Sequence, residues 1–510
     1  MATPNERLAA SLEQLRALQQ DGRRVFRSGE LTRVHRERLR QNGFLREVMK
    51  GWLISSSPGA ESDTTPFYSS FWEFCVRYCT ERFGDQWFLS PEQSLLLHGE
   101  NTVIPQQTIL YTPLGANNRV DLLFGTSLYD LKQRRMPPPA DLTEKEGLRL
   151  YTVEAALLKV SETFYQRHPV AAQVVLSAIG DVAGVLRRLL DGGHSAVAGR
   201  LAGAFCSVGR DDLADDILRT MKAAGYEVRA SNPFAPHQVF AAAQRTATPI
   251  ASRLHALWAA SRPTVMEVFP QAPGLPADGQ AYLNAVDSLY QSDAYHSLSI
   301  EGYRVTPELI NRVRAGDWDP DRHAADRESR DALAARGYWQ TFQLVLETMG
   351  RVLAGQDPSG QIRDAHRDWY RALFQASVAA GLVDPAALAG YRTEAVFLRG
   401  SRHVPPRWEA VSDAMSALFD LLEQEPEPAV RSVLGHWLFG YIHPYPDGNG
   451  RMARFVMNTM LASGGYPWTV IRVEDRDTYL AALEMASNKG DLGPFALFVA
   501  ERVQRSSQQV

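Results

Sequence analysis

Cysteine is scarce here: Cys75, Cys79 and Cys206 are the only three in 510 residues. So small and odd a set excludes a disulfide framework and suits a reducing compartment. Cys75 and Cys79 lie one helical turn apart, which is half a metal site, but no second Cys/His pair accompanies them. Long apolar runs are also absent. Nowhere do about 18 consecutive apolar residues occur, and the opening stretch MATPNERLAASLEQLRALQQ reads as a polar amphipathic helix. The expectation is a cytoplasmic chain with no membrane partner. Neither sign of charge is in excess, since 54 Lys+Arg stand against 58 Asp+Glu for a net charge of -4. No global field draws the chain to nucleic acid, so any such binding must be local. Missing too are a glycine-rich loop ending in Lys-Ser/Thr and a dinucleotide fingerprint, which excludes the commonest nucleotide-binding folds.

What is present is the balance of an ordinary globular protein, 45% hydrophobic and 22% charged, long enough for about three domains. Residues 1–63 read as helix, turn, helix and short strand. Around Gly29, Leu31, Leu39 and Gly51 this segment resembles the winged helix-turn-helix at the front of bacterial abortive-infection antitoxins. A helix over 32–41 would carry Arg33, Arg36, Arg38 and Arg40 toward phosphates, giving a DNA or protein partner; the alternative is a solvated charged face. Residues 64–260 alternate short strand-like runs with amphipathic segments, a mixed α/β domain without assignable chemistry. Residues 261–279 carry Pro263, Pro270, Pro273 and Pro276 and are expected to interrupt any helix and act as a linker. Residues 280–510 are helical in period, apart from a strand pair expected over 391–406 around Gly400. The fold expected is multidomain and mainly α.

The densest chemistry is HPYPDGNGRMAR, residues 443–454. Pro444 and Pro446 end the preceding apolar helix, leaving His443 at its edge as a base near neutral pH. A second apolar helix begins near Gly450, so amides over 448–451 converge at a helix amino terminus, which binds phosphate oxygens. Gly448 and Gly450 suit positive φ and close approach of an anion, and Asn449 offers a side-chain donor. Arg451 and Arg454, three residues apart, point from one helix face toward one polyphosphate. Asp447 makes sense as a ligand for Mg²⁺ bridging phosphates.

This stretch resembles the signature of Fic domains, departing from it at Tyr445, where that family prefers Phe; the ring hydroxyl needs a buried partner. The resemblance spans about residues 275–503. It implies an all-α Fic fold with a β-hairpin flap and transfer of AMP from ATP to a Ser, Thr or Tyr hydroxyl of a protein target. It further implies that His443 is the catalytic base and Asp447 holds Mg²⁺. Gly448, Asn449 and Gly450 would form the anion hole, Arg451 and Arg454 would grip the β and γ phosphates, and Asn488 would contact ribose or adenine. The stretch 391–406 looks like the family's flap, so a target strand would add along Val396, Phe397, Leu398 and Arg399.

SLSIEGYRV places Ser297, Glu301 and Gly302 in the order Ser-x-x-x-Glu-Gly, with Ser297 and Glu301 one helical turn apart. Within a Fic domain this resembles the family's inhibitory motif, in which Glu301 would compete with the γ-phosphate for Arg454. Two alternatives stay open: removal of AMP with Glu301 aligning water, and an antitoxin-like DNA-binding regulator whose Fic domain senses ATP. A homo-oligomer is compatible with all three.

Overall fold

Thr3 accepts from the Glu6 N–H while Glu6 reaches back to the Thr3 N–H, and Pro4 fills the first turn. These caps start α1, Pro4–Leu18. The computed structural model describes residues 3–59, 62–235, 248–317 and 329–508. It divides into two units, Met1–Arg245 with Phe397–Val404, and Thr246–Val396 with Pro405–Val510. In the first unit α1 is followed by β1 (Val25–Arg27), α2 (Arg33–Gln41), β2 (Leu45–Met49) and β3 (Trp52–Ser55). The strands form an antiparallel sheet in the order β1-β3-β2, and Leu15, Phe26, Leu31, Leu39, Leu45 and Leu53 make its core.

The arginines of α2 correct one expectation. Arg36 donates to the Ser28 carbonyl at 2.7 Å, and Arg38 donates to the Arg7 carbonyl at 2.8 Å and to Ser11 Oγ at 2.9 Å. Arg40 pairs with Glu47 at 3.0 Å. Three of the four arginines expected to face phosphates therefore tie this unit together, because orphan carbonyls and an acid lie within reach; Arg33 stands exposed.

Next come α3 (Thr65–Phe83), β4 (Phe88–Leu89), α4 (Pro91–His98), β5 (Gln107–Thr112), β6 (Asn118–Asp121) and β7 (Ser127–Lys132). The four strands form a sheet in the order β4-β5-β7-β6 with β5 parallel to β7. A hairpin, β8 (Leu142–Lys145) with β9 (Leu148–Tyr151), leads into α5 (Val153–Lys159), α6 (Glu162–Arg167), α7 (Pro169–Ala178), α8 (Ala183–Gly192), α9 (Ser195–Ser207) and α10 (Asp211–Ala223). Cys75 and Cys79 are buried among Phe67, Phe71, Phe74 and Trp87, and burial pushes both thiols up, so they serve the core. Residues of Phe397–Val404 bond within this unit: the Gly400 N–H donates to Thr64 Oγ1 at 3.0 Å and the Ile104 N–H to the Arg402 carbonyl at 2.9 Å. Among the described residues no single helix is long and apolar enough to cross a membrane.

The second unit is helical: α11 (Pro249–Val268), α12 (Gly279–Ile300), α13 (Pro307–Ala315), α14 (Arg330–Leu353), α15 (Pro358–Ala379), α16 (Val411–Gln424), α17 (Pro428–Ile442), α18 (Asn449–Ala462), α19 (Arg476–Lys489) and α20 (Gly493–Ser507). Here α11 runs through Pro263, across the domain boundary expected at 260–261 and into the linker expected over 261–279. An internal proline costs a helix about 3 kcal/mol, but burial of Leu254, Leu257 and Val265 and a two-armed Arg262–Glu425 pair at 2.9 and 3.1 Å hold the helix in place. Residues 391–406, expected as a strand pair, contain a turn closed by Ser401 N–H to the Leu398 carbonyl at 3.1 Å but no assigned strand. Their polar groups are used elsewhere: the Glu394 and Pro406 carbonyls accept from Arg392, and Pro405 and Pro406 have no N–H to pair.

Candidate active site

Two buried helices meet at the loop that carries the motif. His443 caps α17 with φ 52, its N–H donating to the Phe439 carbonyl at 3.0 Å, and Gly448 caps α18 with φ 77. A Cβ on Gly448 would lie 2.8 Å from the Phe374 ring, so both conformation and space demand glycine. The first intrahelical bond of α18 is Met452 N–H to the Gly448 carbonyl at 3.0 Å, which leaves the amides of Asn449, Gly450 and Arg451 at the positive pole of the helix.

Two expectations change here. Gly450 is not among the residues with positive φ; its role is space, because a Cβ there would come within 2.3 Å of Glu301 Oε1. Asn449 does not offer its side chain to an anion. Its Oδ1 accepts from the Tyr445 N–H at 2.9 Å and its Nδ2 donates to the Tyr445 carbonyl at 2.8 Å, so the side chain closes the loop and only the main-chain N–H remains for a ligand. Tyr445 is fully buried and stacked on Tyr370 at 3.8 Å, and its hydroxyl finds no hydrogen-bond partner among the described residues.

His443 Nδ1 lies 3.3 Å from the Gly440 carbonyl. A carbonyl can only accept, so the proton sits on Nδ1 and Nε2 carries the free lone pair. Burial pushes the ring down to about 4, with Arg392 adding to the effect and the Gly440 carbonyl, Glu301 and Asp447 opposing it. The imidazole is therefore neutral, and able to accept a proton, at neutral pH.

The two arginines leave α18 toward one carboxylate. Arg454 is buried; its Nε donates to Ser297 Oγ at 2.9 Å, and its Nη2 to the Ser297 carbonyl at 3.1 Å and to Glu301 Oε1 at 2.8 Å. Arg451 is buried between the rings of Tyr303 at 5.2 Å and Phe374 at 5.1 Å, its Nη2 3.9 Å from Asp447 Oδ2 and its Nε unpartnered among the described residues. Burial pulls the Glu301 carboxyl up, but Arg454, Arg451 and His443 together outweigh it and hold it below its usual range. Glu301 ends α12, and Gly302 at φ 86 turns the chain away behind it. Ser297, Glu301 and both arginines are thus brought together.

Other expected residues are not. Asn488 bonds Glu484 on its own helix, with no hydrogen bond among the described residues to the 443–454 loop. Val396, Phe397 and Leu398 are half-buried and only Arg399 is exposed, so little of the expected docking edge is bare. Sequence reasoning missed Arg392, which donates to the His443 carbonyl at 2.8 Å, and the Tyr303 and Phe374 rings that flank Arg451. It also missed Tyr479, whose hydroxyl meets His436 Nε2 at 2.7 Å beside Arg454. No local pattern marks any of these, since each acts on a residue far away in the chain.

The Fic/DOC family matches residues 357–461. Protein adenylyltransferase Fic of Nematostella vectensis is 31% identical over 241 residues, 46% of this chain and 51% of its own length. Its namesake in Culex quinquefasciatus is 35% identical over 221 residues, 42% of this chain and 41% of its own. The chain thus spans about half the length, or less, of these curated relatives. A solved structure of Fic-1 residues 134–508 from C. elegans aligns at 18% identity over 68% of this chain and 92% of its own, with a TM-score of 0.37, a level that carries no functional argument. The motif's geometry agrees with these matches: residues 357–461, with the 443–454 loop inside them, are similar to the Fic/DOC family domain.

Proposed function

We propose that the chain is a nucleotidyltransferase that moves AMP from ATP to a Ser, Thr or Tyr hydroxyl of a protein target, and that Glu301 holds it in check. The strongest support is the place of the Glu301 carboxylate. It lies 2.8 Å from Arg454 and inside the space that Gly450 leaves open over the α18 amides, which is where an anion would be held. A γ-phosphate and Glu301 cannot both occupy that cation. With Glu301 displaced, Arg451 and Arg454 grip the terminal phosphates, the target oxygen attacks the α-phosphorus, and His443 Nε2 takes its proton. The bond to the bridging oxygen breaks and pyrophosphate leaves.

Asp447 would hold Mg²⁺. Its side chain is 61% exposed, with one oxygen on the Gly448 N–H at 2.6 Å, so acceptor capacity remains beside the cradle. Among the described residues no cluster of three or more His, Cys, Asp or Glu encloses a metal, and Mg²⁺ asks for only one or two carboxylates plus substrate oxygens. When bound, the ion supplies charge neutralisation at the phosphates.

Loss of one charge-assisted bond of about 2 kcal/mol corresponds to well over tenfold. Labelled AMP transferred to protein should therefore rise at least about tenfold in Glu301→Gly and vanish in the same chain with His443→Ala. Unchanged transfer in Glu301→Gly would remove Glu301 from the regulatory role. Because Glu301 sits within electrostatic reach of His443, it also suits aligning a water, and an AMP-modified protein as substrate separates hydrolysis from transfer. A cytoplasmic location, and a DNA or protein partner at the N-terminal segment through the exposed Arg33, complete this reading.

A further inference from the structure

Arg392 stands at the first end of the loop 391–406, buried in the catalytic unit. Among the described residues each hydrogen bond from its guanidinium goes to a main-chain carbonyl. Nε donates to His443 at 2.8 Å, Nη1 to Glu394 at 2.9 Å, and Nη2 to Pro406 and, at 3.4 Å, to Ile442. Its own N–H donates to the Pro444 carbonyl at 2.9 Å. One residue therefore grips three consecutive residues around the proposed base, two by its side chain and Pro444 by its main chain, and both ends of the loop.

The sequence makes these carbonyls needy. The last carbonyls of α17 have no intrahelical partner, and they form the negative pole of that helix. His443 turns into the left-handed region, which a residue with a Cβ holds only when its surroundings fix it. Pro444 and Pro446 cannot supply a donor in return. A planar five-donor cation on the open side satisfies all of them at once, which a lysine's single ammonium cannot reproduce.

We propose that Arg392 is a positioning residue: it locks His443 in its left-handed conformation and ties the place of that ring to Glu394 and Pro406. The inference rests on the proposed transfer of AMP and adds to it the residue that holds the base in place. None of these bonds passes through the phosphate cradle, so nucleotide binding should be indifferent to them.

The test is made in the full chain carrying Glu301→Gly, with labelled ATP and cell-extract protein as acceptor. Arg392→Lys keeps charge and length and should fold; Arg392→Gln removes the fork. The expected result is a fall in kcat of about tenfold for Arg392→Lys and more for Arg392→Gln, with the KM for ATP and the affinity for a non-hydrolysable ATP analogue within about twofold of the parent. If Arg392→Gln fails to fold, Arg392→Lys alone decides. An unchanged kcat in Arg392→Lys, or a loss of analogue binding in step with kcat, overturns the inference while leaving the proposed function standing. Absence of transfer in the Glu301→Gly parent sinks both.

Discussion

At the residue scale, the motif does less with some side chains, and more with others, than their chemistry suggests. Asn449 spends both polar atoms on Tyr445, and Arg451 lies between two rings. Tyr445 carries a cost, because its buried hydroxyl is unpartnered among the described residues and burial pushes its pKa up. Removing an unsatisfied hydroxyl while keeping the ring stacked on Tyr370 should gain about 1 kcal/mol, or roughly 2–4 °C in a unit of this size. Tyr445→Phe is therefore expected to melt higher than the parent in calorimetry, and a lower melting temperature would mean that the hydroxyl has a partner in solution. Residue identity here was legible in the sequence: the motif named His443, Asp447 and both arginines. Their partners were not, since Arg392, Tyr303 and Phe374 reach the motif only through folding.

At the element scale, the segment proposed to inhibit is a helix end. α12 stops at Ile300, Glu301 caps it, and Gly302 at φ 86 lets the chain leave with the carboxylate still facing Arg454. A Cβ at Gly302 would meet open space, so Gly302→Ala strains only the backbone, by about 1 kcal/mol or more. Glu301 then holds Arg454 less firmly, and basal AMP transfer should rise about fivefold, short of Glu301→Gly. Initial rates of the three chains side by side check the order; no rise in Gly302→Ala would mean that the turn does not set the inhibitory pose. Other elements were less legible. Pro263 reads as a helix breaker yet lies within α11, because burial and the Arg262–Glu425 pair outweigh its local cost. The loop 391–406 alternates like a hairpin, but its carbonyls go to Arg392 instead of a partner strand. In α2 three of the four arginines bond carbonyls and an acid of their own unit, a competition that charge counting cannot weigh.

At the scale of the whole molecule, buried histidines set how stability responds to acid. His366 and His436 are buried, and burial pushes their pKa down to about 4 and about 3, from 6.5. For His366 main-chain carbonyls partly oppose that, and for His436 Arg454 adds to it. Above pH 6.5 both rings are neutral whether the chain is folded or not, so their contribution is fully present. Below it the unfolded chain takes up protons that the folded chain refuses, and stability falls as the pH drops toward 4. At about pH 5.5 each ring should remove roughly 1.4 kcal/mol. Urea unfolding at about pH 7.5 and about pH 5.5 measures the difference, and equal stabilities would mean that the folded rings take up protons as readily as the unfolded ones.

The sequence alone determined the residue types gathered in the 443–454 loop, the end of one helix before Pro444 and the start of the next near Gly450, and the helical class of the second unit. Each of these follows from residues within a turn or two of one another, where φ restriction, missing donors and the 3.6 period act locally. Only the tertiary structure decided that Glu301 sits on Arg454 from 153 residues away, and that Arg392 bonds the His443 carbonyl from 51 residues away. Those pairings depend on which buried groups are left without partners once the helices have packed, a competition settled in three dimensions.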